Sequence, residues 1–215
     1  NVNALNYIDQ RLVQEIASLP TVSNTYPVII APAQATFLDG QTAGVTLVGA
    51  QAPTFIMGPL KSRLKEGSTT QLIQPYTVSA EFYSAKTWNT NLEMNKPIEI
   101  NGKSAQVKVI TQNAQAFGAS LMYMDINNAR YYSNISPSKV SIIGTSLHDK
   151  NTKNSTINQI NTLFPNLKAW DPEKLRSSTI KEILISSNMG MSFGTLVVFA
   201  MISGFFIIGL TLYSS

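Results

Sequence analysis

The sequence predicts an α+β chain: a domain of mixed strands and packed helices, then a stalk helix, then one membrane-spanning helix. Three observations carry this. Short β-branched stretches alternate with stretches spaced for helices. Gly and Pro punctuate them at intervals too short for long helices. All 28 charged residues lie between Asp9 and Glu182, and the last 33 residues carry none.

Residues 3–19 read as an amphipathic helix, with Asn3 as cap, Leu5, Ile8, Leu12, Ile16 and Leu19 at three- and four-residue steps, and Pro20 as its end. Tyr26 to Ile30 reads as a strand. Ala35 to Leu38 and Val45 to Val48 flank Asp39-Gly40 as a hairpin, with the turn blurred by Gln41 to Gly44. Residues 49–75 are mixed, with a short helix around Pro59 to Lys65. Tyr76 to Ser79 is a strand and Ala80 to Trp88 a helix. The clearest hairpin joins Pro97 to Ile100 and Ala105 to Ile110 through Asn101-Gly102, which supplies the positive φ values of a tight turn. Leu121 to Met124 is a strand, and Asp125 caps a short helix through Arg130 to Tyr132. Val140 to Ile143 is a strand, Thr156 to Phe164 a helix ended by Pro165, and Leu167 to Trp170 a short strand.

At Asp171-Pro172-Glu173 an Asp cap, a Pro at the first helical position and an early Glu start a new helix. It runs on as a stalk over 172–190, either continuous with the apolar run or broken near Ser186 to Met191. Met191 to Tyr213 is 23 apolar or uncharged residues, roughly 35 Å as a helix and enough to cross a hydrocarbon core of about 30 Å. Gly190 and Gly194 stand four apart, as do Ala200 and Gly204. Small residues at that spacing let another helix approach closely in lipid, so these four are the candidate packing site. The domain limits are therefore 1–171, 172–190 and 191–213. Lys174, Arg176 and Lys181 precede the span, but large domains translocate regardless of such charge, so orientation stays open.

The chemistry that is missing narrows the function. There is no cysteine, hence no disulfide framework and no thiolate metal site. The net charge of +4 comes from scattered bases, which argues against nucleic acid as a partner. No phosphate-binding loop and no nucleophile elbow occurs. His148 stands alone in a polar stretch beside Asp149, and a metal would need more ligands. Glu93 and Glu99 read as solvated carboxylates. Met122 and Met124 read as strand packing, and Trp88, Tyr131, Tyr132 and Trp170 as core or edge packing. Asn154-Ser155-Thr156 matches a glycosylation pattern that acts only in a eukaryotic secretory setting. No catalytic residue, metal or cofactor is expected.

A resemblance sharpens this reading. The helix ending in Leu19-Pro20, the strands through Tyr26 to Val28, the hairpin into Val45 to Gly49 and the pair Ile98 to Gly102 and Val107 to Ile110 precede a helix that enters a glycine-bearing span. This layout resembles the extracytoplasmic domain between the first two membrane helices of the FtsX/MacB-type ABC transporter permeases. Phe117 to Arg130 and Ser203 to Tyr213 are most similar to the DevC-like branch. The resemblance implies a MacB-like periplasmic domain, with residues 1 to about 185 in the periplasm of a bacterial inner membrane. It implies a permease dimer without its own ATPase, served by a cytoplasmic ABC ATPase subunit and, in the MacB and DevC branches, by a periplasmic adaptor and an outer-membrane channel. It implies mechanotransmission rather than catalysis. With no initiator Met and only Ser214-Ser215 behind the span, the chain reads as a fragment lacking a first span and later ones. The alternatives are an FtsX/LolC-like non-exporting member acting on cell-wall hydrolases or lipoproteins, and a tail-anchored periplasmic binding module.

Overall fold

A computed structural model of the chain describes residues 7–115, 119–174 and 188–213. They form two compact units, Asn1–Lys150 and Asn151–Ser215.

The first unit opens with β1 (Ile8–Asp9) and α1 (Arg11–Ala17). The helix is shorter than residues 3–19 because Asp9 intervenes. Its carboxylate accepts the Arg11 backbone N–H at 2.9 Å and the Arg11 guanidinium at 3.1 Å, which turns the chain from extended to helical. Ile8 and Asp9 instead pair with β9 (Lys139–Val140). Asn3 and Leu5 lie outside the described residues. Val13, Ile16 and Leu19 are the buried stripe.

Next come β2 (Val22–Thr36) and β3 (Thr42–Ala50), paired from Val28↔Ala50 to Thr36↔Thr42. Asp39 and Gly40 make the turn, Gly40 at φ +80°. The sequence divides β2 into two strands; the structure runs it through Pro27 and Pro32. Pro32 costs no ladder bond. The N–H groups of Ile30 and Gln34 point to the edge opposite β3, reaching Ser141 Oγ and Asn101 Oδ1. A donor at position 32 would point the same way, between the residues that pair with β10 (Ile142–Leu147) and those that pair with β6 (Pro97–Ile100). Pro27 lies beyond the last β3 partner.

The predicted helix at Pro59 to Lys65 is a 3-10 turn, Lys61–Arg63, followed by β4 (Leu64–Glu66). A second 3-10 turn, Thr69–Ile73, leads to β5 (Thr77–Glu81) and α2 (Phe82–Thr87). The strand extends to Glu81 because that residue caps the helix from its first position outside. The hairpin of β6 with β7 (Lys103–Thr111) is as the sequence predicts, with Asn101 at φ +50° and Gly102 at φ +74°. Then follow β8 (Leu121–Asp125), capped α3 (Ile126–Ser133), β9 and β10. The predicted strand Val140 to Ile143 splits at Ser141, whose hydroxyl both accepts from Ile30 N and donates to Ile30 O.

The main sheet runs β4-β7-β6-β2-β3-β8, with β5 on the other side of β7 and β10 on β2. β3 with β8 and β5 with β7 are parallel pairs. β8 also comes alongside β5, where Tyr123 N donates to Ser79 Oγ at 2.8 Å, so the sheet curls almost onto itself. Ile29, Leu47, Val78, Ile100, Val107, Met122 and Met124 fill the enclosed face, each contributing about 1.5–3 kcal/mol. Tyr132 is fully buried among them, its hydroxyl donating to Ser104 O at 2.8 Å. α3 closes over β3 at Gly49, where a Cβ would fall 2.3 Å from Ala129 Cβ. Only a residue without a side chain permits that approach.

The second unit holds α4 (Lys153–Leu163), a helical turn at 172–174 and α5 (Asn188–Tyr213). The predicted strand Leu167 to Trp170 is absent; Leu167 N turns back to Phe164 O and Ala169 N donates to Asn161 Oδ1. Asp171 caps the next turn as expected, accepting from Glu173 N at 3.1 Å. It also binds Lys153 Nζ at 2.7 Å while only 7% exposed. That hydrogen bond holds its carboxyl below the ordinary value of 3.8. The continuity of the predicted stalk over 172–190 lies largely outside the described residues, at 175–187.

Candidate functional site

Gly190, Gly194, Ala200 and Gly204 all fall on α5. At 3.6 residues per turn they share an arc of about 120° of the helix surface. Val197 and Met201 occupy the same arc between the two small pairs, so it is a ridge with two notches rather than a smooth groove. Phe199, Ile202 and Phe206 project from the opposite side. A Cβ at Gly204 would meet nothing within 4 Å, which leaves that notch open to a second helix.

The large apolar side chains described on α5 between 196 and 208 face outward. Phe205 is 79% exposed and Phe199 69%, and Leu196, Ile207 and Ile208 are also exposed. No charged residue interrupts the helix. Among the described residues no helix is long and apolar enough to cross a membrane; in α5 the unbroken stretch of described side chains is 196–208, roughly 20 Å of helix.

In the first unit the structure assembles groups that the sequence does not announce. Glu81 is completely buried. Its carboxylate accepts from Thr111 Oγ1 at 2.8 Å, Asn113 N at 2.9 Å and Ala114 N at 3.2 Å, and caps α2 through Tyr83 N. Four donors on one carboxylate explain how a charge can sit there. The one sequence clue is an acidic residue at the junction of an apolar strand and a helix. The neighbouring Tyr123 hydroxyl is pushed above its ordinary range by burial and by the Glu81 charge.

The aromatic residues divide. Trp88 is half-buried and packs on Phe37 with ring centres 5.2 Å apart. Tyr131 and Trp170 are exposed, with Lys103 over Tyr131 and Lys168 over Trp170. Tyr76 stacks edge-on to Tyr131 from a left-handed backbone at φ +61°. His148 is exposed. Among the described residues no three His, Asp or Glu side chains gather as a metal site.

This arrangement defines a class of fold: that of the domains which ABC-type transporters carry outside the membrane. The extracellular domain of YknZ, a noncanonic ABC-type transporter from Gram-positive bacteria, aligns with a TM-score of 0.55 at 13% identity, over 74% of this chain and 85% of that one. The periplasmic region of MacB from Actinobacillus actinomycetemcomitans aligns with a TM-score of 0.53 at 12% identity, over 73% of this chain and 74% of that one. No family model matches the sequence, and no curated protein matches it. The predicted MacB-like fold is therefore observed at the level of backbone architecture.

Proposed function

We propose that the chain is the periplasmic domain and following transmembrane helix of a permease subunit in an ABC-type export system. The observation that carries this is the joining, in one polypeptide, of the transporter-domain fold to a charge-free helix of 26 residues. At about 1.5 Å per residue such a helix is longer than a hydrocarbon core of about 30 Å. In this reading α5 crosses the inner membrane and the first unit stands in the periplasm.

The work is mechanical. ATP is hydrolysed in a separate cytoplasmic subunit, and its movement reaches α5 and then the domain above, which passes it to a partner or substrate. Two permease copies pack through the face of Gly190, Gly194, Ala200 and Gly204, where short side chains allow close backbone contact. A periplasmic adaptor and an outer-membrane channel complete the exporter. The chain itself needs no cofactor.

Co-purification of the full-length gene product, in detergent, with a membrane-bound ABC ATPase supports this function. A full-length product with α5 as its single span and no ATPase partner contradicts it.

A further inference from the structure

The 3-10 turn Lys61–Arg63, β4 and α2 bring four cations to one end of the main sheet: Lys61, Arg63, Lys65 and Lys86, all exposed. Lys65 Nζ lies 3.1 Å from the centre of the Phe82 ring, and Lys86 Nζ lies 4.8 Å from the same centre. The two ammonium groups therefore stand no more than about 8 Å apart, within the screening length at physiological salt. Among the described residues none of these four cations has a carboxylate within ion-pair distance. Of the acids on or capping these same elements, Glu81 is turned inward onto its four donors and Glu66 is exposed. Phe82 relieves part of the repulsion through its ring face. An anion bridging the two ammoniums would relieve more.

A third donor stands beside them. Tyr83 is 39% exposed and its ring lies 5.8 Å from Lys86 Nζ. Gln112 Nε2 donates to the Tyr83 hydroxyl at 2.9 Å, which leaves the hydroxyl's own proton to give. β4 is the end strand of the sheet path, so its outer backbone edge has no strand partner among the described residues.

We propose that this end of the sheet is a docking surface for an acidic, extended segment of a partner protein. Its carboxylates bridge Lys65 and Lys86 and accept from Tyr83, while its backbone adds to the edge of β4. Phe82, beside both ammoniums, is half-buried and offers no protruding apolar wedge, and a free strand edge suits a peptide rather than a lipid headgroup. The surface belongs to the first unit alone and stands whether or not the chain serves a transporter.

The test uses the 215-residue chain in neutral detergent, with fluorescein-labelled dodecaglutamate read by anisotropy. Binding should weaken as salt rises. The double variant Lys65→Glu/Lys86→Glu should lose about tenfold in affinity and gain binding to labelled dodecalysine, as expected when rim charges reverse. Lys168→Glu, an exposed cation of the second unit, should stay within about twofold of the parent. An unchanged melting curve for the double variant separates lost docking from lost folding. Equal binding by parent and double variant overturns the proposal, as does no binding by the parent. Capture by phosphatidylglycerol vesicles without peptide binding overturns it in favour of a lipid surface.

Discussion

Gly49 and Gly204 put the two units side by side. Both are glycines in regular elements among apolar neighbours. At Gly49 an added methyl would collide with Ala129 and with the backbone of Ile126; at Gly204 it would touch nothing. The first unit spends its apolar residues inward, where Leu47, Ile100 and Met122 are wholly buried. α5 holds equally apolar residues outward. Water accounts for the first arrangement, since burial removes apolar area from it. The second is favourable only where the surroundings are themselves apolar, or where another helix covers the face. In the proposed function the two units obey the same physics in different solvents.

The contrast can be broken at its poles. Gly49→Val should cost the first unit about 3 kcal/mol, since a packed core has no room to shift, read as a lowered urea midpoint. Gly204→Leu should leave that midpoint unchanged and instead weaken self-association of the chain in micelles or vesicles. If Gly204→Leu unfolds the first unit, or self-association is untouched, the notch is not a packing surface.

Inside the first unit, Glu81→Gln should cost about 2 kcal/mol, because in either orientation the amide turns its N–H₂ toward a backbone N–H that can only donate. The loss should appear in the same urea titration, and a neutral result would mean that the loop after β7 holds itself. At the β6–β7 turn, Gly102→Ala places a side chain at φ +74° and should cost about 1 kcal/mol. Gly44→Ala, in open space at ordinary φ, serves as its control and should be near neutral.

The smallest effect belongs to the second unit. The folded-state pKa of Asp171 is depressed by Lys153, so the stabilisation is present above the ordinary value of 3.8 and is lost as pH falls through the depressed one. Trp170, next in sequence, reports it: in a Trp88→Phe background its fluorescence should change at low pH, and Asp171→Asn should abolish the transition. A transition that survives in Asp171→Asn would assign it to another carboxylate.

Local chemistry was legible in the sequence wherever one or two residues decide the backbone. Asn101-Gly102 made its hairpin, Asp125 capped α3 and Asp171 capped its turn because each needs only its neighbours. Longer decisions were not. The continuity of β2 depends on where β10 and β6 stop along its far edge, which leaves Pro32 without a bond to lose. Lys65 and Lys86, 21 positions apart, meet only because β4 and α2 flank β7 at one end. Glu81 falls inside the predicted helix Ala80 to Trp88, and only the loop after Thr111 brings it the backbone donors of Asn113 and Ala114. The spacing of Gly190, Gly194, Ala200 and Gly204 is a property of the sequence, whereas the packing proposed for it needs a second helix.

The proposed function requires that α5 lie in a bilayer while the first unit stands in water. The chain has no cysteine, so single substitutions give clean labelling sites. In native vesicles with the outer domain facing the bath, a membrane-impermeant maleimide should modify Ser138→Cys rapidly and leave Met201→Cys unmodified until detergent is added. Modification of Met201→Cys in intact vesicles at the rate of Ser138→Cys would contradict the account.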